Sequence, residues 1–194
     1  MAQDPPESEE AIRHPKTYAE YLELEDTSEI KHEFLEGEIV AMAGGTPEHG
    51  RLAMNLGAEL RIKLRGRSCK VLSSDVRVRV RVGESNKGLY PDLSVVCGPI
   101  ETDPADKTSI VNPVVLVEVL SPKTEEKDRG SKFERYKRLP SLKEYVLVSQ
   151  DEPCIEVFRR QDDGSWPSTV ARAGERVNLG SIKCEVSVDA VYAE

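Results

Sequence analysis

Hydrophobic and polar positions follow two different periods along the chain, and these periods predict both helices and strands. Apolar residues recur at helical spacing behind Thr46-Pro47, which predicts a helix over 46–64 with a buried stripe of Leu52, Leu56, Leu60 and Leu64. Valine alternates strictly with arginine over 76–82, which predicts a strand. Residues 113–122, PVVLVEVLSP, form a Val-rich run between prolines, which is typical of a strand buried on both faces.

Other segments complete the predicted order of elements. TYAEYLELE predicts a short helix from Thr17, and HEFLEGEIVAMAGG predicts two strands joined by a tight turn at Glu36-Gly37. The runs LSVVC, LKEYVLVS and CIEVFRR predict further strands, with a last one around Trp166. The order helix, strand, strand, strand, helix, strand predicts an α/β fold, in which helices flank a central mixed sheet with additional N- and C-terminal strands.

Length and composition bound the architecture. The 194 residues predict a single domain over 17–194, behind a disordered acidic tail over 1–16. No apolar stretch is long enough to span a bilayer and no signal-peptide core is present, so we expect a cytoplasmic protein without membrane contact. The four cysteines, which form no CxxC pair, are Cys69, Cys97, Cys154 and Cys184. We expect them to be reduced, and we expect them to form neither a zinc site nor a disulfide framework.

The charge distribution limits how the chain could bind nucleic acid. A net charge of −8 and an isoelectric point of about 5.1 exclude a generally basic surface, so any phosphate contact must be local. Arg77, Arg79 and Arg81 share one face of the predicted valine-arginine strand. They could contact phosphates, but an outer sheet face paired with local carboxylates is favoured. The segment 98–112, which is acidic and contains prolines, predicts a surface loop that could border a substrate cleft.

Two carboxylates in apolar surroundings are the main candidates for chemistry. Glu118 lies in the middle of the second Val-rich run, where an ionised carboxylate needs a cation, a donor or a raised pKa. Asp92 follows Pro91 at the head of the preceding apolar run. Separately, Asp92 could be a capping residue and Glu118 a member of a structural ion pair. Together, two hard oxygen ligands on neighbouring strands could hold Mg²⁺ or Mn²⁺.

Side chains on the two predicted core helices could join these carboxylates. Asp128, Lys132 and Tyr136 recur every four residues, so they are predicted to lie on one helical face. Lys132 could equally be a solvated charge paired with Asp128. His49 lies on or beside the leucine stripe of the first helix, where a histidine is more often a hydrogen-bonded core residue than a ligand.

These motifs carry a family resemblance. The order Pro91-Asp92, Glu118 and a later lysine resembles the PD-(D/E)XK nuclease superfamily. From about Tyr18 onward, the chain closely resembles the bacterial Uma-two family of restriction-endonuclease-like proteins, through motifs that occur in the same order. They are EFLEGEIVAMAG, the His49 helix, SSDVRV, YPD, NPVVLVEVLSP, DRGSKFERY and LKEYVLV.

The resemblance implies a restriction endonuclease-like core, αβββαβ, and a metal-dependent endonuclease that acts on nucleic acid, with DNA preferred. It implies Asp92 and Glu118 as ligands of Mg²⁺ or Mn²⁺ and as catalytic residues together with Lys132. It also implies that His49, Tyr136 and Asp75 are supporting residues in or near the site. Glu48 is another candidate, beside His49 on the first core helix.

The sequence departs from the superfamily pattern at one position. The superfamily places its lysine two residues after the glutamate, and that position here is Leu120. The resemblance therefore implies that the lysine has moved to the following helix, as Lys132. Glu33 falls where the family usually has an acid, although an exposed strand glutamate is the simpler account. A degenerate nuclease fold that serves as a binding or assembly module, with a structural Glu-Lys ion pair, is the alternative function, and a homodimer is a further expectation.

Overall fold

The computed structural model describes residues 15–42, 44–82 and 85–194. Its helices are α1 (Tyr18–Thr27), α2 (Pro47–Lys63), α3 (Glu125–Lys127), α4 (Phe133–Tyr136) and α5 (Val188–Tyr192). A π-helical turn (Asp128–Lys132) joins α3 to α4, and a short 3-10 helix covers Gly180–Ile182. The strands are β1 (His32–Leu35), β2 (Glu38–Ala41), β3 (Cys69–Ser73), β4 (Arg77–Val82), β5 (Ser85–Leu89), β6 (Leu93–Cys97), β7 (Thr102–Asp103), β8 (Asp106–Ile110), β9 (Val115–Val119), β10 (Glu144–Val148), β11 (Cys154–Arg159), β12 (Ser168–Arg172), β13 (Arg176–Leu179) and β14 (Cys184–Ser187).

Most strands belong to two six-stranded sheets. The central sheet has the order β12-β11-β10-β9-β6-β3, and the second sheet has the order β2-β1-β5-β4-β8-β7. The central sheet is mixed, because β9 and β10 are parallel while its other neighbours are antiparallel. Along the chain, α2, β3, β6, β9, the helical segment and β10 follow the order αβββαβ. The predicted α/β class and core order are confirmed.

The valine-arginine strand is not part of that core. It forms β4 of the second sheet, and the first core strand is β3, CKVLS. β3 is the edge strand of the central sheet and buries no residue completely. An exposed edge strand needs no regular apolar pattern, so the sequence gives little sign of it.

The central sheet buries both of its faces, as the Val-rich run predicted. Val115, Val117 and Val119 pack in one cluster with the leucine stripe of α2. Leu116 and Leu120 pack on the opposite face, in a cluster that also contains Tyr136 and Tyr145. Burying one such aliphatic side chain contributes about 1.5–3 kcal/mol, so the two clusters hold β9 firmly between two layers.

The second sheet carries a buried layer of charge that α1 covers. The side chains of Arg77 and Arg79 are almost fully buried. The guanidinium carbon of Arg79 lies 3.0 Å from the centroid of the Tyr18 ring. The Tyr18 hydroxyl donates a hydrogen bond of 2.6 Å to Asp106 Oδ2. The predicted outer face is therefore wrong for Arg77 and Arg79, because α1 packs over it.

Local carboxylates pair with these arginines, and this part of the prediction is confirmed. Arg77 lies 3.4 Å from Asp106, and Asp103 lies 3.5 Å from Arg79 and 2.7 Å from Arg81. Both aspartates come from residues 98–112, which form the β7–β8 hairpin instead of the predicted surface loop. The two aspartates of this segment are explained by the arginines they neutralise inside the fold.

Two of the cysteines form a disulfide, so the prediction that all four are reduced is wrong. Cys69 on β3 and Cys97 on β6 are register partners, with Cα atoms 3.9 Å apart, and a disulfide joins them. The two residues are 28 positions apart in the sequence, and only the strand pairing brings them together. Cys154 and Cys184 are free thiols, as predicted.

The N-terminal hairpin confirms the predicted turn. Gly37 has a φ of 99°, and a Cβ atom there would lie 2.6 Å from the Pro15 Cβ, so the turn requires glycine. The Lys16 amide donates a hydrogen bond to the Gly37 carbonyl. The rest of the predicted acidic tail lies outside the described residues. Within those residues, no helix is both long and apolar enough to cross a membrane.

Candidate active site

Strand pairing brings the two predicted metal ligands together. β6 and β9 are antiparallel with Leu93 opposite Val117, so Asp92 and Glu118 occupy the next opposing positions. Glu118 is almost completely buried, and the other residues of its strand, β9, are buried and apolar. Asp92 lies just outside β6 and keeps part of its side chain exposed. Glu118 therefore lies at the buried base of one site, and Asp92 lies at its partly exposed edge.

Asp92 is fixed by one contact to each carboxylate oxygen. Nε2 of His49 lies 2.8 Å from Oδ1, and the Val119 amide donates a hydrogen bond of 2.7 Å to Oδ2. His49 lies in the first turn of α2, which Thr46 caps by accepting from the His49 amide. The hydrogen bond to Asp92 raises the pKa of His49 above its usual value, against the lowering effect of burial. His49 is thus a functional candidate that points from the helix into the site.

Glu118 meets two donors at the same oxygen. The Tyr136 hydroxyl donates a hydrogen bond of 3.1 Å to Oε1, and Lys132 Nζ lies 2.8 Å from that atom. Burial raises the pKa of Glu118 well above its usual value, and the charges of Asp92 and Asp128 raise it further, against the opposing charge of Lys132. The Lys132 ammonium alone therefore does not keep the pKa of Glu118 at its usual value.

Lys132 is a buried ammonium surrounded by oxygen atoms. Besides Glu118, its Nζ lies 3.4 Å from Glu33 Oε1 and 3.8 Å from Asp128 Oδ1, and it donates to the Tyr90 carbonyl at 3.4 Å. Burial lowers the pKa of Lys132, but the surrounding carboxylates outweigh burial and raise it above its usual value. Lys132 consequently stays charged. The predicted face of Asp128, Lys132 and Tyr136 does point into the site.

Glu33 is part of this cluster, and its interpretation as an exposed strand residue is wrong. Its side chain on β1 is buried, and Lys127 Nζ lies 2.5 Å from its Oε2. The β1–β2 hairpin belongs to the second sheet, and Glu33 on β1 pairs with two lysines of the helical segment that follows β9. The local pattern HEFLEG contains no sign of that tertiary contact.

Two other predicted residues lie elsewhere. Asp75 is largely exposed and pairs with Lys31 at 2.5 Å. Glu48 pairs with Arg51 on the surface of α2 at 2.6 Å. In the described part of the chain, both residues pair with surface cations away from Glu118. Of the predicted site residues, the fold brings together His49, Asp92, Glu118, Lys132 and Tyr136.

The donor set bears on whether a metal ion fits. Among the described residues, no group of three His, Cys, Asp or Glu side chains is arranged to hold a metal by itself. Each Asp92 oxygen has one contact and keeps a second lone pair, while both contacts of Glu118 use Oε1. Mg²⁺ commonly takes one or two carboxylates and completes its shell with water and phosphate. Asp92 and Glu118 fit an ion of that kind.

Comparisons with known proteins agree with the geometry of the fold. The Uma2 family, described as "Putative restriction endonuclease", matches residues 18–189. Uncharacterized protein slr1290 of Synechocystis sp. is 38% identical over 176 residues, which cover 89% of this chain and 89% of that protein. Uncharacterized protein sll1609 of the same organism is 33% identical over 150 residues, which cover 77% of this chain and 84% of the relative.

A solved structure shares the architecture. The crystal structure of a "putative nuclease belonging to DUF820" from Anabaena variabilis matches with a TM-score of 0.72. The match covers 92% of this chain and 98% of that chain at 19% identity, and it supports the fold. The family match over residues 18–189 spans most of the chain and shows that this chain belongs to the Uma2 family, described as "Putative restriction endonuclease".

Proposed function

We propose that this chain is a metal-dependent endonuclease that hydrolyses phosphodiester bonds in DNA. The observation that carries the proposal is the convergence of Asp92 and Glu118 at the ends of paired strands, with the Lys132 ammonium 2.8 Å from Glu118. Two carboxylates and a fixed cation are the groups that phosphodiester hydrolysis needs, because charge develops on the phosphoryl oxygens. Membership of a family with a restriction endonuclease description supports the proposal.

Asp92 and Glu118 would hold Mg²⁺ or Mn²⁺. When bound, such an ion polarises the scissile phosphate and lowers the pKa of an attacking water. The chain prepares these ligands in two ways. His49 and the Val119 amide fix the two oxygens of Asp92, and Tyr136 fixes Oε1 of Glu118. Ligands that hydrogen bonds orient in advance lose less freedom on binding.

Lys132 would act on the substrate. Its ammonium remains charged and is buried, so its interaction with a phosphoryl oxygen is weakly screened. It takes the role that the superfamily pattern gives to a lysine at the position of Leu120, whose side chain packs in the apolar cluster. DNA would approach from the side of His49 and Asp92, whose side chains are 22% and 17% exposed.

The direct test is cleavage by the purified chain. Supercoiled plasmid, linear duplex, single-stranded DNA and RNA would be incubated with Mg²⁺, with Mn²⁺ or with EDTA. We expect metal-dependent cleavage of DNA by the native chain and none by Asp92→Asn or Glu118→Gln. Glu48→Gln is the matched control, because Glu48 lies on the same helix as His49 but pairs with Arg51 on the surface. Cleavage that survives in both site variants, or no cleavage by the native chain, would overturn the proposal.

A second candidate function is a binding or assembly module without catalysis. It is favoured by the contact between Lys132 and Glu118, whose side chains are 7% and 5% exposed, because an ammonium can neutralise a buried carboxylate permanently. Calorimetric titration with Mg²⁺ and Mn²⁺ separates the two functions. If the protein binds DNA but has no measurable affinity for either metal ion, the module is favoured. If it binds a metal ion and Asp92→Asn abolishes that binding, the nuclease is favoured.

A further inference from the structure

We propose that Glu33 is a positioning residue that draws the Lys132 ammonium away from Glu118. The role rests on the proposed function, because it concerns how a candidate metal ligand stays available. Glu33 lies on β1 of the second sheet, whereas Glu118 lies on β9 of the central sheet. Lys132 lies between them, with Nζ 2.8 Å from Glu118 Oε1 and 3.4 Å from Glu33 Oε1.

The position of the ammonium depends on a balance of attractions. An ammonium has three donors and no acceptor, so it settles among the nearest oxygens. The Tyr90 carbonyl and Glu33 lie at 3.4 Å, and Asp128 lies at 3.8 Å. Electrostatic attraction is weakly screened in buried surroundings. Without the charge of Glu33, Glu118 and Asp128 would draw Lys132 to their own side.

Glu33 is itself fixed and cannot follow the lysine. Lys127 Nζ lies 2.5 Å from Oε2, and the Tyr90 amide donates to Oε1 at 3.5 Å. The carboxylate thus has one oxygen for Lys127 and the other for Lys132. The Tyr90 backbone that contacts Glu33 leads directly through Pro91 into Asp92, so the same segment also places a candidate metal ligand.

An ammonium and a divalent cation compete for the same carboxylate. The more Lys132 is drawn toward Glu33, the more of the Glu118 charge remains for a metal ion. The ammonium also stays beside the site, where it can reach a phosphoryl oxygen. Loss of the Glu33 charge should therefore weaken metal binding and slow catalysis, although Glu33 touches neither Asp92 nor Glu118.

The test is a double-mutant cycle between Glu33→Gln and Lys132→Ala, read by Mn²⁺ affinity from electron paramagnetic resonance and by cleavage kinetics. In the native background, we expect Glu33→Gln to lower Mn²⁺ affinity and kcat by about 10–100-fold, with KM for DNA unchanged. In the Lys132→Ala background, the same change should have little effect on Mn²⁺ affinity, because no ammonium remains to be held. An equal loss in both backgrounds would overturn the role.

Glu144→Gln is a matched control, since Glu144 is also a buried glutamate in an ion pair, with Arg159 at 2.8 Å. It should lower stability without lowering Mn²⁺ affinity. If Glu33→Gln does not fold, Lys127→Met is the second variant, because Lys127 is 35% exposed and shares the charge of the Glu33 carboxylate with Lys132. It should lengthen the contact between Lys132 and Glu118.

Different results would overturn the positioning role of Glu33 and the nuclease function. A native protein that binds Mn²⁺ but cleaves no nucleic acid overturns the nuclease, and the Mn²⁺ cycle still tests Glu33. If the native protein binds no Mn²⁺, crystal structures of the metal-free native chain and variants test the role of Glu33 instead. Lys132 Nζ closer to Glu118 or Asp128 in Glu33→Gln supports the role, and an unchanged Nζ position overturns it.

Discussion

Nε2 of His49 lies 2.8 Å from Oδ1 of Asp92, and this contact joins the first turn of α2 to the start of β6. His49→Ala removes the partner that fixes this oxygen. We expect kcat/KM for DNA cleavage to fall about 10–100-fold, as is usual for partners of metal ligands. The free energy of unfolding should fall by only about 1 kcal/mol, because one partly exposed hydrogen bond is lost. Unchanged kcat/KM with folded protein would exclude a role for His49.

Asp92→Asn and Glu118→Gln should each abolish Mg²⁺ binding in calorimetry. The metal-free fold should remain intact or become slightly more stable, because each change removes one of two carboxylates that repel each other. In Glu118→Gln, Lys132 keeps Glu33 and Asp128 as partners. Full Mg²⁺ affinity in both variants would mean that the metal site is placed wrongly.

Lys132→Ala should lower kcat by two or more orders of magnitude, on the scale of losing one electrostatic catalytic group. Metal affinity should not fall, since the ammonium that competes for Glu118 is gone. Single-turnover cleavage and Mg²⁺ titration measure the two effects separately. Full cleavage by Lys132→Ala, in a preparation free of contaminating nuclease, would refute the catalytic role.

Arg79→Met and Arg81→Met should differ in their effect on stability. Arg79 is buried over Tyr18, and its loss leaves Asp103 less well compensated, at a cost of about 3–5 kcal/mol. Arg81 is 49% exposed, and its loss should cost about 1 kcal/mol or less. Urea unfolding measures both. The salt dependence of DNA binding should be the same in Arg81→Met as in the native chain, and a flatter slope would show a phosphate contact.

Asp106 should contribute to stability in acid. Burial raises the pKa of Asp106, but hydrogen bonds from Ser109, Thr108 and Tyr18 outweigh burial and hold the pKa below its usual value. A lowered carboxyl pKa stabilises the fold above the unfolded pKa of about 3.9, and this stability is lost as the pH falls through the folded pKa. Asp106→Asn should therefore flatten the stability curve below about pH 4. An acid limb as steep as that of the native chain would contradict this expectation.

Thiol labelling of the urea-unfolded chain should find two free cysteines without reductant and four after reduction, because Cys154 and Cys184 are free and Cys69 is joined to Cys97. For a loop of 28 residues, the chain-entropy estimate gives about 3–4 kcal/mol of stabilisation. Reduction should lower the urea midpoint accordingly, and Cys97→Ser should remove the effect of the reductant. Four labels without reduction would show that the bond is absent.

The elements that the sequence predicts well are those whose period is set by burial. The leucine stripe of α2 and the alternating faces of β9 follow directly from their apolar positions. Glu118 could be identified for the same reason, because a charge inside a valine run must be compensated by something.

The features that the sequence misses are tertiary pairings between charged groups. Nothing near Glu33 or in residues 98–112 indicates that their carboxylates are buried, since their partners lie on distant elements. The strand over 76–82 was predicted correctly, but the pattern of one strand does not specify its sheet. The disulfide is hidden for the same reason, because it depends on the register of β3 against β6.

The π-helical turn between α3 and α4 sets the rotational phase of the two lysines that reach Glu33. In a regular α-helix, residues five positions apart point about 140° away from each other around the axis. A π-helix closes its hydrogen bonds over five residues, so such residues lie nearly above one another. Lys127 and Lys132 consequently face the same carboxylate. A regular α-helix over the same residues would turn Lys127 and Lys132 apart and leave Glu33 with a single lysine.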